Sequence, residues 1–241
     1  VYDSQAFRAF LGLDLARESV PDATTVLTFR RLLEDKGLGE RLVERVNALL
    51  RERGLLLDKG TVVDATILHA PSSTKNAEKA RDPEMHQTRK GNQWYFGMKA
   101  HIGADLHSGA VHSLSCTAAN VADIAETANL LHGQEKAVFA DAGYIGADKR
   151  PELKDHDVHW HIAEKRGKLA AMDDGELKEL ARRAERLKAQ IRARVEHPFH
   201  VVKNLFGHRK VRYRGLKKNA NQMHLLFAWA NLYLLRRPLA A

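Results

Sequence analysis

Apolar residues recur at helical spacing in the first part of the chain. The pattern predicts helices over residues 3–53, with a cap region at Pro21-Asp22 and breaks at Gly37 and Gly54. Three short helices fit a helix-turn-helix, and they fit a helical packing or dimerisation module at least as well. The region 1–54 is therefore expected to be helical, without an assigned role.

From Leu55 the apolar pattern changes to short β-branched runs bounded by turn residues. A polar stretch at 69–92 has no apolar period and predicts an exposed, mobile loop. Helices are expected at 121–131 and 148–154. Strands are expected at 61–67, 94–103, 110–116, 136–141 and 158–163. Hairpin strands followed by alternating strands and helices predict an α/β fold, with a mixed sheet flanked by helices.

A long helix follows, and its apolar stripe alternates spacings of three and four. The stripe consists of Leu177, Leu180, Ala184, Leu187, Ile191 and Val195. Arg192, Glu196 and Lys203 lie on the neighbouring stripe, at the edge of the expected buried side. Pro198 should kink or restart the helix, which makes the placing of Lys203 less secure. A final helix over 222–237 is expected to close the core.

The charge of the chain is concentrated around this long helix. The 241 residues include 39 Lys or Arg and 30 Asp or Glu, but residues 178–218 hold 14 Lys or Arg against three acids. Such a block favours a polyanionic partner over a merely solvated basic face. Glu196, in its middle, either pairs with a base to fix the helix or holds a metal against a phosphate.

Several protein classes are disfavoured by composition. The single Cys116 excludes an internal disulfide framework and suits a reducing cytoplasm. No apolar run approaches the roughly 20 residues that span a bilayer, and no signal-peptide pattern is present. The expectation is a cytoplasmic protein without a membrane partner. The first residue is Val1, so the start of the N-terminal region is interpreted as incomplete.

Three acids are candidates for metal-dependent chemistry. Asp64 lies in or at the end of one strand, Asp141 ends another before a glycine turn, and Glu196 is helical. Each Asp alone is more often a turn or cap residue. Converging carboxylates repel one another, and divalent cations relieve that repulsion. Two Mg²⁺ ions about 4 Å apart would activate a hydroxyl and stabilise the departing oxygen, with Arg192 and Lys203 on the phosphate.

Five motifs together resemble a known family. They are Asp64-Ala-Thr-Ile67, Lys90-Gly-Asn-Gln-Trp-Tyr-Phe-Gly-Met-Lys-Ala-His-Ile-Gly103, Thr117-Ala-Ala-Asn120, Asp141-Ala-Gly-Tyr144 and Arg194-Val-Glu-His-Pro-Phe199. In this order they resemble the DDE transposases of bacterial insertion sequences, specifically the insertion-sequence-five family. The spacing agrees, since 76 residues separate Asp64 from Asp141 and 54 separate Asp141 from Glu196.

The resemblance implies an RNase H-like DDE domain over 55–241, with a helical insertion at 168–190. It implies DNA cleavage at transposon ends and strand transfer, with Asp64, Asp141 and Glu196 as the catalytic, metal-binding triad. Two Mg²⁺ ions, or Mn²⁺ instead, would be the cofactors. The partners would be double-stranded DNA, as terminal inverted repeats and target, and a second copy in a synaptic homodimer near the nucleoid. The basic residues assigned to DNA are Arg192, Lys203, Arg209, Lys210, Arg212 and Arg214.

One family position departs from the pattern. Related transposases carry Tyr-x₂-Arg-x₃-Glu-x₆-Lys, and Arg192, Glu196 and Lys203 match it, but Ala189 replaces the Tyr. A hairpin route of excision therefore stays open. The sequence also does not give the oligomeric state, the terminal repeats or the activity of this copy.

Other readings compete with a transposase. The 13 His include clusters at 156–161 and 197–208, but no zinc template is met, so these are interpreted as surface or DNA-facing. A non-catalytic DNA-binding remnant has no use for three converging acids. A stand-alone RNase H-like nuclease shares the metal site but not the helical N-terminus. Trp94 and Tyr95 are interpreted as core or edge aromatics, with stacking on a flipped base as the alternative.

Overall fold

The computed structural model describes residues 4–154 and 156–240. The chain packs as two compact units that divide between Leu38 and Gly39. The first unit holds helices α1 (Gln5–Leu11) and α2 (Ala23–Asp35), and neither has a buried residue. Asp22 caps α2 by accepting the Thr25 N–H at 2.7 Å, so the cap region predicted at Pro21-Asp22 is confirmed.

Helix α3 (Leu38–Glu52) packs into the second unit rather than standing apart from it. Its apolar side, including Val46 and Leu50, joins a core cluster with Ala228 of the last long helix. The break in packing therefore lies about 16 residues before the boundary expected at 54/55. The division into a functional N-terminal region and a catalytic domain stays a prediction.

The second unit is built on a six-stranded mixed sheet. Its strands run in the order β2-β3-β1-β5-β6, and β4 also pairs with β3. Strands β1 and β3 are antiparallel, whereas β1, β5 and β6 are parallel to one another. The bounds are β1 Gly60–His69, β2 His86–Lys90, β3 Gln93–Asp105, β4 Val111–Ala118, β5 Ala137–Ala140 and β6 His159–Ile162. All five predicted strands are confirmed.

Strand β2 lies inside the stretch predicted as a loop. It is an edge strand whose residues are mostly exposed, and it pairs antiparallel with the start of β3 from His86↔Gly97 to Lys90↔Gln93. Strand β2 is defined by its backbone hydrogen bonds to β3. Because neither of its faces packs into a core, its sequence shows no alternation of apolar and polar residues. The remaining residues of this stretch, 70–85, contain neither helix nor strand.

The helices on the sheet are shorter than the pattern predicts in two places. Helix α4 (Thr127–Leu130) is one turn, preceded by the 3-10 turn Asp123–Glu126. The helix expected at 148–154 is wrong: the chain makes separate 3-10 turns there. Arg150 is extended, as the residue before a proline prefers, and Pro151 lacks the N–H that a continuous helix needs.

The long helix forms, but most of its apolar stripe is not buried. Helices α5 (Arg166–Ala170) and α6 (Glu176–Arg192) precede the 3-10 turn Ala193–Val195. Leu177, Leu180 and Leu187 are 77%, 60% and 60% exposed, so the expected buried side is wrong there. Only Ile191 and Val195, at the C-terminal end, pack on the core of the sheet.

The last elements close that core. Helix α7 (Glu196–His200) continues into a π-helical turn, Val201–Leu205, and helices α8 (Leu216–Leu234) and α9 (Arg236–Ala240) follow. Met223 and Phe227 of α8 are fully buried, which confirms the predicted closing helix. No described helix is both long and apolar enough to cross a membrane.

Candidate active site

The pairing of β1 with β5 brings two of the candidate acids side by side. These parallel strands are in register from Gly60↔Ala137 to Val62↔Phe139. Asp64 lies two residues after Val62, and Asp141 lies two residues after Phe139. Because neighbouring parallel strands advance together, the two acids leave the sheet at the same level.

Both acids also share one face of the sheet. Side chains two apart on a strand point the same way, so Asp64 follows Val62 and Asp141 follows Phe139. Val62 and Phe139 pack in one core cluster with Val195 and Phe199. The acids therefore face the side of the sheet on which α7 packs. Val63, Val138 and Ala140 point the other way, into a separate cluster around Tyr144.

Glu196 reaches this face as the first residue of α7. The helix restarts there after the 3-10 turn, and Pro198 occupies its first turn, where a missing N–H leaves no hydrogen bond unmade. Pro198 and Phe199 are buried while Glu196 is exposed. The predicted effect of Pro198 is thus confirmed as a restart, which directs Glu196 away from the core.

The charges of Asp141, Glu196 and Arg192 all act on the Asp64 carboxyl. The pKa of Asp64 rises from 3.8 to about 7, chiefly because the carboxyl is buried and then because Asp141 and Glu196 add negative charge. The Ala65 N–H, 2.7 Å from Asp64 Oδ1, and the Arg192 guanidinium lower that pKa and offset part of the rise. Three carboxylates and one arginine thus share one electrostatic environment.

This donor set fits a hard divalent cation. A carboxyl whose pKa is near 7 is ionised at neutral pH only in part, and a cation among the three acids would keep it charged. Asp64, Asp141 and Glu196 offer oxygen ligands only. Among the described residues these acids are not in a group of three side chains close enough to hold one ion.

A hydrogen bond fixes Asp141 in the turn that follows β5. Its Oδ1 accepts the Gly143 N–H at 2.7 Å, so Asp141 also caps the 3-10 turn Ala142–Tyr144. A Cβ on residue 143 would lie 2.9 Å from that same oxygen. Glycine at this position therefore allows the carboxylate to approach the turn.

Two basic residues lie beside the acids. Arg192 is close enough to lower the pKa of Asp64. Lys203, in the π-helical turn, donates to the Ile67 carbonyl of β1 at 2.9 Å. Burial lowers the pKa of Lys203, Lys90 adds to this, and Glu196 opposes it. Lys203 is thus near Glu196 although Pro198 intervenes.

The other basic residues assigned to DNA lie in the segment after α7, and all four are exposed. The Arg209 guanidinium donates to the Lys203 carbonyl at 3.3 Å and to Asn204 Oδ1, which attaches it to the π-helical turn. Lys210 forms a β-bridge with His69 through the backbone. Arg214 forms an ion pair with Glu78 at 2.8 Å, so its charge is partly compensated within the chain. Arg212 stays exposed beside it.

Sequence reasoning gave no role to Tyr144, which the structure places next to the site. Tyr144 is fully buried, and its hydroxyl has no hydrogen-bond partner among the described residues. Burial raises its pKa, and Asp123, Asp64 and Asp141 raise it further. The position of Tyr144 in the motif Asp141-Ala-Gly-Tyr144 was the sequence signal for a residue close to Asp141. Spacing alone, however, does not show the direction of the Tyr144 side chain.

Trp94 and Tyr95 lie at the start of β3. Trp94 is 64% exposed on β3 near the β2–β3 turn, so it is an edge aromatic and not a core residue. Tyr95 packs against the His69 ring, with centroids 5.2 Å apart. Among the described residues, neither His cluster noted in the sequence brings three potential metal ligands together.

The geometry agrees with a comparison to known families. Residues 56–232 match the family model described as Transposase DDE domain. The chain belongs to this family. No solved structure matches it. For a transposase DDE domain, the RNase H-like α/β architecture predicted from the motifs is confirmed by the mixed sheet and its helices. Membership makes the chain a nucleic-acid-cleaving type of enzyme that binds DNA and uses divalent metal ions.

Proposed function

We propose that this chain is a DNA transposase of the insertion-sequence-five type, which cleaves phosphodiester bonds at transposon ends and joins them to target DNA. The observation that carries the proposal is the β1–β5 register, which brings Asp64 and Asp141 to the same level of the sheet, where the charges of Glu196 and Arg192 also act on Asp64. A protein that only bound DNA would have no need to place Asp141 and Glu196 where they raise the pKa of Asp64.

In this proposal the three acids hold two Mg²⁺ ions, with Mn²⁺ as the alternative. The ions would supply Lewis-acid activation of a water or 3′-hydroxyl and stabilisation of the departing oxygen. The chain itself contributes position and charge. Asp141 is held by Gly143, Asp64 by the Ala65 N–H, and Glu196 by the start of α7.

Arg192 and Lys203 would hold the scissile or neighbouring phosphate. Lys203 uses one of its three donors on the Ile67 carbonyl, which leaves two for phosphate oxygens. Arg209, Lys210, Arg212 and Arg214 would follow the DNA backbone beyond the site. Binding DNA at Arg214 would compete with its ion pair to Glu78.

The larger arrangement is also proposed. Residues 55–241 would carry the chemistry, and residues 1–54 would contribute to the transposon-end complex, in which two copies hold two DNA ends. A cytoplasmic location near the nucleoid follows from a DNA substrate. Because Ala189 replaces the family Tyr, no hairpin step is included.

The test is Mg²⁺-dependent nicking of a duplex taken from the DNA that flanks the coding sequence. We expect the wild type to nick it and Glu196→Gln to lose about 100-fold or more in rate. Glu179→Gln is the matched control, because Glu179 is an exposed acid on α6 away from the β1–β5 edge. Equal rates for wild type and Glu196→Gln would refute the assigned mechanism.

Competitor DNA in the same assay separates the alternatives. A transposase should keep nicking the flanking duplex when a tenfold excess of unrelated DNA is present, whereas a general nuclease should be inhibited in proportion. Binding of the duplex with no nicking by the wild type would favour the DNA-binding remnant.

A further inference from the structure

A second group of potential metal ligands lies on the opposite side of the sheet from Asp64. His112 is on β4, and His132 and Glu135 lie between α4 and β5. They meet around Thr61, which is three residues before Asp64 on β1. An odd separation puts two side chains on opposite faces, and three residues span roughly 10 Å along a strand. The group is therefore separate from the candidate active site.

Gly103 makes this meeting geometrically feasible. Strand β3 lies between β1 and β4, so His112 must pass over β3 to reach Thr61. A Cβ on Gly103 would lie 2.8 Å from His112 Cε1 and 2.4 Å from the Leu130 carbonyl. The absence of a side chain there lets the imidazole cross, and His112 Nε2 lies 2.9 Å from Thr61 Oγ1.

The ligand atoms lie close together, and one pair is at the distance expected in a tetrahedral site. One nitrogen of each His and one oxygen of Glu135 all lie within 4.8 Å of one another. His132 Nε2 is 3.3 Å from Glu135 Oε1. Two ligands at zinc bond lengths and a tetrahedral angle are about 3.3 Å apart. The two imidazole rings are 4.8 Å apart between centroids.

One polar atom of the cluster, a ring nitrogen of His132, lacks a hydrogen-bond partner in the part of the chain that the structure describes. His132 Nε2 is buried and, among the described residues, makes no hydrogen bond, although Glu135 Oε1 is nearby. The Glu135 side chain is fully buried, and its oxygens accept the backbone N–H groups of His132 at 2.7 Å and Gly133 at 2.8 Å. A buried carboxylate with a nearby unpaired imidazole nitrogen is stabilised by a shared cation.

We propose that His112, His132 and Glu135 bind a Zn²⁺-class transition metal that fastens β4 and the α4–β5 segment together beside β1. Two imidazole nitrogens and one carboxylate suit Zn²⁺, whereas Mg²⁺ prefers oxygen ligands alone. Asp58 Oδ1, 3.7 Å from His132 Nε2, is a candidate for the fourth ligand, although its carboxylate also pairs with Arg51, and water is the alternative.

Metal binding would require some hydrogen bonds around the three ligands to rearrange. Ser113 Oγ, 2.9 Å from His112 Nδ1, can hold the ring proton there and leave Nε2 free for the metal. Thr61 would then turn from His112 to Glu135 Oε1, which is already 3.3 Å away. His132 Nδ1 would give up the 3.2 Å hydrogen bond from the Gln134 N–H and carry the ring proton itself.

The test is Zn²⁺ binding to the chelator-treated full chain in excess Mg²⁺, followed by competition with a coloured chelator. We expect one tightly bound Zn²⁺ per chain, and Co²⁺ substitution should give the intense visible absorption of a tetrahedral site. His132→Gln and Glu135→Gln should each weaken binding by about 100-fold or more. His159→Gln, at an exposed His on β6, is the matched control and should bind as the wild type does.

Thermal unfolding compares each protein with and without Zn²⁺, so a variant that is less stable serves as its own reference. Zn²⁺ should raise the Tm of the wild type and of His159→Gln, and should leave the Tm of His132→Gln unchanged. Equal Zn²⁺ affinity in the wild type and His132→Gln, or no stoichiometric binding at all, would overturn the proposal and leave a hydrogen-bonded network only. Neither readout depends on DNA cleavage, so the outcome is separate from that of the nicking assay.

Discussion

Asp64 and Asp141 occupy equivalent positions on neighbouring parallel strands, each two residues beyond the last paired residues, Val62 and Phe139. This arrangement places two carboxylates side by side at the same end of two neighbouring strands, with Arg192 as the nearby positive charge. Arg192 lowers the pKa of Asp64, but burial and the other acids raise it more. Three predictions follow from the residues around this pair.

The first prediction concerns the stability of the metal-free chain. The pKa of Asp64 is about 7 in the folded chain, above its ordinary value of 3.8. Because this pKa is raised on folding, the contribution of Asp64 to the free energy of unfolding is fully present below pH 4. It is lost as the pH rises through 7. In EDTA, Asp64→Asn should therefore become more stable than the wild type by about 4 kcal/mol at pH 8, with little difference at pH 4.

Urea denaturation at both pH values measures this difference. Asp148→Asn, an exposed acid after β5, is the control and should follow the pH dependence of the wild type. Added Mg²⁺ should stabilise the wild type at pH 8 more than Asp64→Asn. A wild type and an Asp64→Asn variant with the same pH dependence would show that the Asp64 carboxyl is not perturbed.

The second prediction concerns the turn that holds Asp141. A methyl group on residue 143 would meet Asp141 Oδ1 at 2.9 Å and displace the carboxylate. Gly143→Ala should therefore reduce Mg²⁺-dependent nicking by about tenfold to 100-fold with little loss of stability, since a displacement of about 1 Å is enough for such an effect.

Gly167→Ala is the matched control for that change. Gly167 lies in α5, and a Cβ there meets nothing within 4 Å. Nicking rates and unfolding curves of both variants should be compared under one set of conditions. If Gly143→Ala nicks as fast as Gly167→Ala, the position of the Asp141 carboxylate does not limit the reaction.

The third prediction concerns Lys203 as a phosphate ligand. Lys203→Gln keeps a donor for the Ile67 carbonyl but removes the charge. The slope of log binding constant against log salt should fall by about one, and affinity should weaken similarly for all DNA sequences. Binding to a labelled duplex at several salt concentrations measures the slope.

Lys136→Gln is the control for Lys203→Gln. Lys136 is exposed just before β5, at the opposite end of that strand from Asp141. Its removal should leave the salt slope near that of the wild type. An unchanged slope in Lys203→Gln would mean that Lys203 supports the fold through Ile67 and does not touch DNA.

The local pattern of apolar residues was sufficient to predict the elements that pack apolar side chains into the core. The β-branched run ending near Ile67 forms β1, and the apolar residues around Met223 and Phe227 form the helix that closes the core. Strand β2 was missed because its exposed polar side chains carry no pattern and its pairing partner lies in another segment. The prediction that Leu177 and Leu180 are buried was wrong. Periodicity shows that a helix has an apolar face, but it does not show whether another element packs on that face.

The sequence by itself determined the DDE transposase family and the mixed α/β class, and it predicted the three acids, because motif order and spacing are properties of the chain. Only the tertiary structure decided that Asp64 and Asp141 share a face, because strand register is set by pairing between distant segments. It also decided that His112, His132 and Glu135 meet across Gly103. A metal-ligand group assembled from β4 and a loop before β5 has no short spacing in sequence, since its geometry comes from the sheet.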